Sequence, residues 1–291
     1  MSDVSLHDKN DYLTWRENKL FHYPTCIEQL TVNISNPFAL KSEEISIMRK
    51  VIKKSNMVIY SLDQAVNPAD KAIPKAIARQ LGMTHIDEHL CVDEDGVSSL
   101  QVSENLLRQD YIPYTNRPIN WHTDGYYNTP EHTIRGMVLH CASPAAEGGE
   151  NAFVDCDIAY LHLRDLNPDY IKVFMESDVM TIPPNDFKGE IIRAEQSGPV
   201  FSFNAAGRLH MRYTARVKNI VWRSNPQVEA ACKALLGFLN SDSPFVFHHR
   251  LQAGQGIISN NVLHKRTGFV DRPEEGKKRL VYRARYYDRI D

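Results

Sequence analysis

From Trp121 onward the chain offers one short strand candidate after another, with little helix between them. Alternating or continuously apolar runs recur at Ile134 to His140, Val179 to Ile182, Val200 to Asn204, Leu209 to Tyr213, Pro244 to Arg250, Gly256 to Ser259 and Leu280 to Tyr287. Asp157 to Arg164 and Pro226 to Leu239 are the clearest helical stretches in this region. A parallel sheet needs a crossover, usually a helix, after nearly every strand, so regular βαβ repetition is excluded. The pattern predicts a mainly β protein, an antiparallel sandwich or jelly roll with helices outside it.

The first third is mixed. Gln29 to Ile34 alternates like a half-buried strand, and Ser42 to Lys54 reads as a helix with Ser42 as its cap, early acids and late bases. Asn56 to Ser61 reads as a buried strand, Pro74 to Leu81 as a helix closed by Gly82, and the segments flanking Asp95-Gly96 as strands joined by a turn. No internal repeat, low-complexity tract or composition break marks a linker. The expectation is one domain over 1–291, with residues 1–100 as a mixed α/β lead-in packed on the β core.

A chain of 291 residues with 42% hydrophobic residues can bury a large core without disulfides or structural zinc. Its five cysteines contain no C-x-x-C pair and read as reduced thiols. Thirty-four basic against 36 acidic residues give a net charge of -2, and Lys277-Lys278-Arg279 is the longest basic run seen. That balance favours a small-molecule partner over nucleic acid. The start lacks an apolar signal region and no run of eighteen apolar residues occurs, which predicts a cytoplasmic protein with no membrane segment and leaves a homo-oligomer open. Phosphate-loop, dinucleotide and serine-hydrolase motifs are missing.

Chemistry enters at Asn120-Trp-His-Thr-Asp-Gly125. In extended chain His122 and Asp124 project from one face and can grip one ion. Joined by a second imidazole they would form a 2-His-1-carboxylate facial triad, which leaves coordination sites open and suits non-heme Fe(II). Among twelve histidines and 36 acids an H-x-D alone says little.

Four pieces in order say more: W-H-T-D-G, then G-G-E-N-A-F, then N-V-L-H-K-R-T-G-F, then R-L-V-Y-R. Over at least residues 112–288 they resemble the Fe(II)/2-oxoglutarate-dependent oxygenases of the taurine dioxygenase (TauD/TfdA-like) family. The resemblance implies a double-stranded β-helix, a cupin-like jelly roll. It implies Fe(II), 2-oxoglutarate and O2 as cofactor and cosubstrates, oxidation of a small molecule, most simply by hydroxylation, and release of succinate and carbon dioxide. It makes His122, Asp124 and His264 the iron ligands. It makes Arg279 the cation for the far carboxylate of 2-oxoglutarate, a task that suits the planar guanidinium fork. Arg279 follows His264 by fifteen residues, a longer gap than in taurine dioxygenases, and Asp271 to Gly276 reads as a turn insertion that absorbs the excess; Arg272 and Lys278 are the fallback cations. Where the family places a hydroxyl residue just after its paired glycines this chain has Asn151, whose amide would supply that cosubstrate contact instead.

Arg283 shares a strand face with Arg279 at period two and matches the family's substrate-anion arginine. Asp87 stands where taurine enzymes carry a histidine, and Pro118 and Gly125 depart too. A pocket carboxylate favours an ammonium, so Asp87 and Arg283 are expected to bracket an amino-acid-like or anionic substrate. Arg212 and Arg216 read as solvated charges, His85 and His89 lack a zincin glutamate, and His248-His249 point to opposite faces. The competing classes are a non-catalytic metal-binding jelly-roll sensor of a small acid and a zinc-dependent hydrolase or lyase.

Overall fold

The computed structural model describes residues 9–88, 93–103, 111–187, 190–216, 218 and 220–291. Ten strands build two facing sheets, numbered here in chain order. They are β1 (Thr31–Ile34), β2 (Met57–Leu62), β3 (Ser98–Leu100), β4 (Ile119–His122), β5 (Gly136–Ser143), β6 (Asn151–Val154), β7 (Phe247–His249), β8 (Gln255–Ser259), β9 (Leu263–Arg266) and β10 (Leu280–Tyr286). The larger, six-stranded sheet runs β1-β2-β8-β5-β10-β3, and the smaller, four-stranded sheet runs β7-β6-β9-β4. Only β1 and β2 pair in parallel; the other pairs within these two sheets are antiparallel. The architecture is the expected β jelly roll with peripheral helices.

Among the described residues six helices flank the sheets: α1 (Lys9–Leu20), α2 (Ser42–Ser55), α3 (Ile73–Gln80), α4 (Cys156–Leu166), α5 (Pro168–Phe174) and α6 (Pro226–Leu239). Met48 and Ile52 of α2 and Ile73 and Ile77 of α3 pack on the outer face of the large sheet against Val58, Val138, Tyr282 and Ala284. The inner face carries Met137, Leu139, Ile257 and Val281, which join the main core with Phe153, Leu263 and the apolar sides of α4 to α6. Each fully buried aliphatic side chain here contributes roughly 1.5–3 kcal/mol.

Alternation along β10 decides what reaches the site. Tyr282, Ala284 and Tyr286 belong to the outer core, whereas Val281 belongs to the inner one, so Arg283 and Arg285 are carried on the inner face. Arg279 lies one residue before the strand, where its N–H donates to Asp271 Oδ1 at 2.9 Å. The expected turn is present: Pro273–Glu275 forms a 3-10 turn closed by Gly276 at φ +71, with Arg272 bridged to Lys277.

Two chain crossings between the sheets set the site's position. Residues 123–135 run from β4 in the small sheet to β5 in the large one, and 260–262 run from β8 in the large sheet to β9 in the small one. Short antiparallel ribbons follow, Met180–Ile182 with Gln196–Gly198 and Phe201–Phe203 with Leu209–Met211.

Several expectations need correction. The cap of α2 is Lys41, not Ser42: Glu44 reaches back to accept the Lys41 N–H at 2.7 Å and the Ser35 N–H at 2.9 Å, so the carboxylate does the capping. Of the strands expected around Asp95-Gly96, Ser98–Leu100 is present and residues 89–92, with Cys91 and His89, lie outside the described residues. Arg212 is not a solvated charge. It donates to the carbonyls of Tyr126, Met180, Gly198 and Gln196, gathering the ribbons around one guanidinium, and burial pulls its pKa down to about 10.

Candidate active site

β4 and β9 pair with His122 directly opposite His264, so the two rings meet with centroids 4.2 Å apart. Directly opposed residues on antiparallel strands bring their side chains together on one face. Asp124 follows two residues after His122, and its Oδ1 lies 3.6 Å from His122 Nε2. One ligand atom from each of His122, Asp124 and His264 fits within 4.8 Å of the other two.

The histidines are prepared alike. His122 Nδ1 lies 2.9 Å from Asn120 O and His264 Nδ1 lies 3.0 Å from Val262 O. A carbonyl can only accept, so each Nδ1 carries the proton and each Nε2 keeps its lone pair for a metal. Burial, then the neighbouring His122, pushes the His264 imidazole down to about 3, which keeps it neutral and ready to ligate. Burial alone would raise the Asp124 carboxyl, but the Arg283 guanidinium holds it well below the usual carboxylate range. Asp124 Oδ2 is buried and has no hydrogen-bond partner, a costly state for a carboxylate oxygen unless a cation takes it. Two neutral imidazoles and an anionic oxygen with spare lone pairs make a donor set that fits a divalent first-row metal in a facial triad.

Arg279, 5% exposed, lines a small cavity with Asn151, Arg250, Cys141, Gly149 and Val281. Burial pulls its pKa down to about 10. Its guanidinium stacks 5.1 Å from the Phe269 ring, and among the described residues it donates only a long 3.5 Å bond, to Leu100 O. No carboxylate lines this cavity among the described residues, so its charge is suited to an incoming anion. Asn151 opens β6, and Gly149 passes with its Cα hydrogens toward Arg279: a Cβ there would lie 3.7 Å from Arg279 Nε. Arg272 is turned to Glu147 and Glu275 at the surface, and Lys278 is exposed, so neither fallback cation reaches the cavity.

Arg283, 8% exposed, points its Nη1 at Asp124 Oδ1 across 3.4 Å, and its Nε is buried without a hydrogen-bond partner. Asp87 is buried as well, and its carboxylate is engaged by groups other than Arg283. Arg285 Nη2 donates to Asp87 Oδ2, and Tyr287 OH donates to Oδ1 at 2.6 Å. Both Asp87 oxygens are taken, and Arg285 also donates to Tyr127 OH at 2.8 Å. The physical reason is the alternation of β10: a second inward arginine, two residues past Arg283, needs a carboxylate and takes the nearest. Arg216 donates to Tyr126 OH at 3.2 Å, and the Tyr126 ring stands edge-on to His122. His85 is exposed and pairs with Asp288, and His248 pairs with Glu150, both away from the triad.

A family model described as the taurine catabolism dioxygenase TauD, TfdA family matches residues 20–285. A curated relative, uridine-5'-phosphate dioxygenase from Streptomyces sp, is 30% identical over 180 residues, which cover 59% of this chain and 62% of the relative. The match thus spans less than two thirds of that relative's length. Among solved structures, asparagine oxygenase in complex with Fe(II), 2S,3S-3-hydroxyasparagine and succinate is similar with a TM-score of 0.56 at 14% identity, over 87% of this chain and 93% of that one. A taurine dioxygenase from Burkholderia xenovorans is similar with a TM-score of 0.56 at 16% identity, over 88% of both chains.

Proposed function

Since the chain belongs to the taurine catabolism dioxygenase TauD, TfdA family, we propose that it is an Fe(II)- and 2-oxoglutarate-dependent dioxygenase that oxidises a small anionic molecule, most simply by hydroxylation. The single observation that carries the assignment is the convergence of His122, Asp124 and His264, with both Nε2 lone pairs and the orphaned Asp124 Oδ2 left for one ion.

His122, Asp124 and His264 would hold the iron, and Fe(II) with bound 2-oxoglutarate supplies dioxygen activation and the redox step, yielding succinate and carbon dioxide. The chain's own residues do the placement. Arg279 takes the far carboxylate of the oxo acid through its fork, with the Asn151 amide as second partner. Arg283, beside Asp124 and with its Nε unspent, takes a substrate anion and sets the substrate near the metal. The buried setting of Asp124 and His264 keeps water from the reacting centre.

With each Asp87 oxygen already accepting a hydrogen bond, Asp87 is a poor partner for an ammonium, which supports an anion over a zwitterion as the substrate. The curated relative named for uridine-5'-phosphate makes phosphate monoesters the first class to test. The lead-in strands β1 and β2 pair into the large sheet, which supports one catalytic unit over the whole chain. Among the described residues no helix is long and apolar enough to cross a membrane, in keeping with a cytoplasmic enzyme.

The test is an anaerobic titration of the metal-stripped protein with Fe(II) and 2-oxoglutarate, followed through the visible iron-to-oxo-acid charge-transfer band. Succinate release is then measured with nucleoside monophosphates, sulfonates and amino acids. A band that disappears in His264→Ala, and succinate release stimulated by an anionic substrate, are expected. Retention of zinc with no band and no consumption of 2-oxoglutarate would overturn the assignment in favour of a hydrolase or a sensor.

A further inference from the structure

We propose that Asn261 is a positioning residue for Asp124, setting the metal affinity of the site through three hydrogen bonds from one side-chain amide. The proposal rests on the reading of His122, Asp124 and His264 as the metal ligands.

Asp124 needs such a device because β4 ends at His122 and the carboxylate rides on the turn beyond it. That turn is pressed against Ile134: Gly125 has φ +69, and a Cβ on it would fall 2.4 Å from Ile134 Cγ1. Asn261 closes the arrangement. Its Oδ1 accepts the Asp124 N–H at 2.8 Å, and its Nδ2 donates to Asp124 O at 2.9 Å and to Ile134 O at 2.8 Å. One amide therefore fixes the backbone on both sides of the Asp124 Cα, together with the residue on which the turn rests.

The chemistry is particular to asparagine. An acceptor and two donors must lie in one plane at short reach. Aspartate would lose both donors and set a charge against two carbonyls, glutamine is a methylene too long, and alanine offers nothing. Asn261 also sits at φ +54, a left-handed conformation that asparagine tolerates better than most residues, and it is 2% exposed.

The corner that carries Asn261 is itself tied down. Asn260 N donates to Asn56 O at 2.8 Å, and Asn260 Nδ2 donates to Asn56 Oδ1 at 3.1 Å and to Ile290 O at 3.0 Å. Asn56, the left-handed cap of α2, in turn donates to Asp155 and Asp157, which hold the buried Lys19 of α1. The adjacent asparagines thus face two ways, Asn260 into this polar hub and Asn261 onto the metal ligand. Three residues later the same segment delivers His264, so two of the three ligands are placed by one short stretch. Partners that orient ligands in this way are typically worth about 10–100-fold in metal affinity.

The experiment compares Mn(II) affinity, by EPR titration of the metal-stripped full chain, for wild type, Asn261→Gly and Asn261→Asp. Glycine keeps the positive φ available and removes only the side-chain bonds; aspartate keeps the acceptor for the Asp124 N–H. Both variants are expected to bind Mn(II) about 10–100-fold more weakly and to change the visible spectrum of the Co(II)-loaded protein. Ile77→Ala, which loosens the outer core on α3 away from the asparagine hub, is expected to lower the unfolding midpoint and leave Mn(II) affinity within about twofold, separating positioning from general stability. Mn(II) binding within about twofold of wild type in a folded Asn261 variant would overturn the proposal. Should Asn261→Gly fail to fold, Asn261→Asp decides. A wild type that binds no Mn(II) would instead sink the metal-site reading itself.

Discussion

His122 and His264 face each other across adjacent antiparallel strands, and each imidazole is oriented by the carbonyl two residues before it in its own segment. The repetition of one device on both strands leaves both Nε2 atoms free on the same side of the sheet. Occupancy of the site should therefore be read out in stability. Binding to the folded state alone at about 100 times Kd adds about 2.7 kcal/mol, or roughly 4–5 °C in a domain of this size. Chelating the metal should lower the wild-type Tm by that amount, and His264→Ala should start from the lower value and show no change on chelation. Calorimetry with and without chelator checks this; a chelator-sensitive His264→Ala protein would contradict it.

Replacing Arg279 separates cosubstrate binding from the rest. A hydrogen bond to a charged group is worth about 1.5–3 kcal/mol, so Arg279→Gln should raise the KM for 2-oxoglutarate about 10–150-fold. Stability should hold, because the variant removes a buried cation that among the described residues has only one long bond. Steady-state kinetics against 2-oxoglutarate decide; an unchanged KM would return the role to another cation.

Asp87 should behave as a structural partner and not as a substrate contact. Asp87→Ala leaves the Arg285 guanidinium, 2% exposed, without its carboxylate, and uncompensated buried charge costs about 3–5 kcal/mol. Exchanging both partners, Asp87→Leu with Arg285→Met, should recover most of that loss. Urea unfolding of the single and double variants measures the coupling, and additive losses would show that the pair is not the cause.

The metal-stripped protein should lose stability as pH falls, in two windows. His264 titrates near 6.5 when unfolded and near 3 when folded. Between those values the unfolded chain holds a proton that the folded chain does not, so unfolding becomes easier by about 1.4 kcal/mol per pH unit. Asp124, held low by Arg283 against its burial, adds a second loss only as pH falls through the ordinary carboxylate range, about 4. Denaturant titrations from pH 7 to 4.5 should show a slope about one proton smaller in His264→Gln, and equal slopes would refute the assignment.

Much of this molecule is written locally. The strands 136–143, 180–182 and 255–259 and the helices 42–55 and 226–239 carry their own period and breakers, so the local sequence announces them. The H-x-D pair and the distant His264 were legible too, because a metal needs those residue types whatever the fold around them. The strands that present the ligands were not legible as strands. Leu263–Arg266 is mostly polar, and the neighbouring Asn151–Val154 is buried along its whole length with no alternation; Leu263–Arg266 becomes a strand by pairing with Asn151–Val154 on one side and Ile119–His122 on the other.

The roles of the charged side chains were settled by distance in space. Arg283 and Arg285 are equivalent in sequence, two inward arginines at period two, yet one faces Asp124 and the other is neutralised by Asp87 from a segment 198 residues away. Asn261 lies 137 residues from Asp124, and nothing in its neighbourhood along the chain indicates that its amide closes the turn of a metal ligand. Residue chemistry determines which groups can hold a metal, an oxo acid or an anion. Which partner each group meets is decided by the tertiary fold, because hydrogen bonds and ion pairs act over a few ångströms and take no account of separation along the chain.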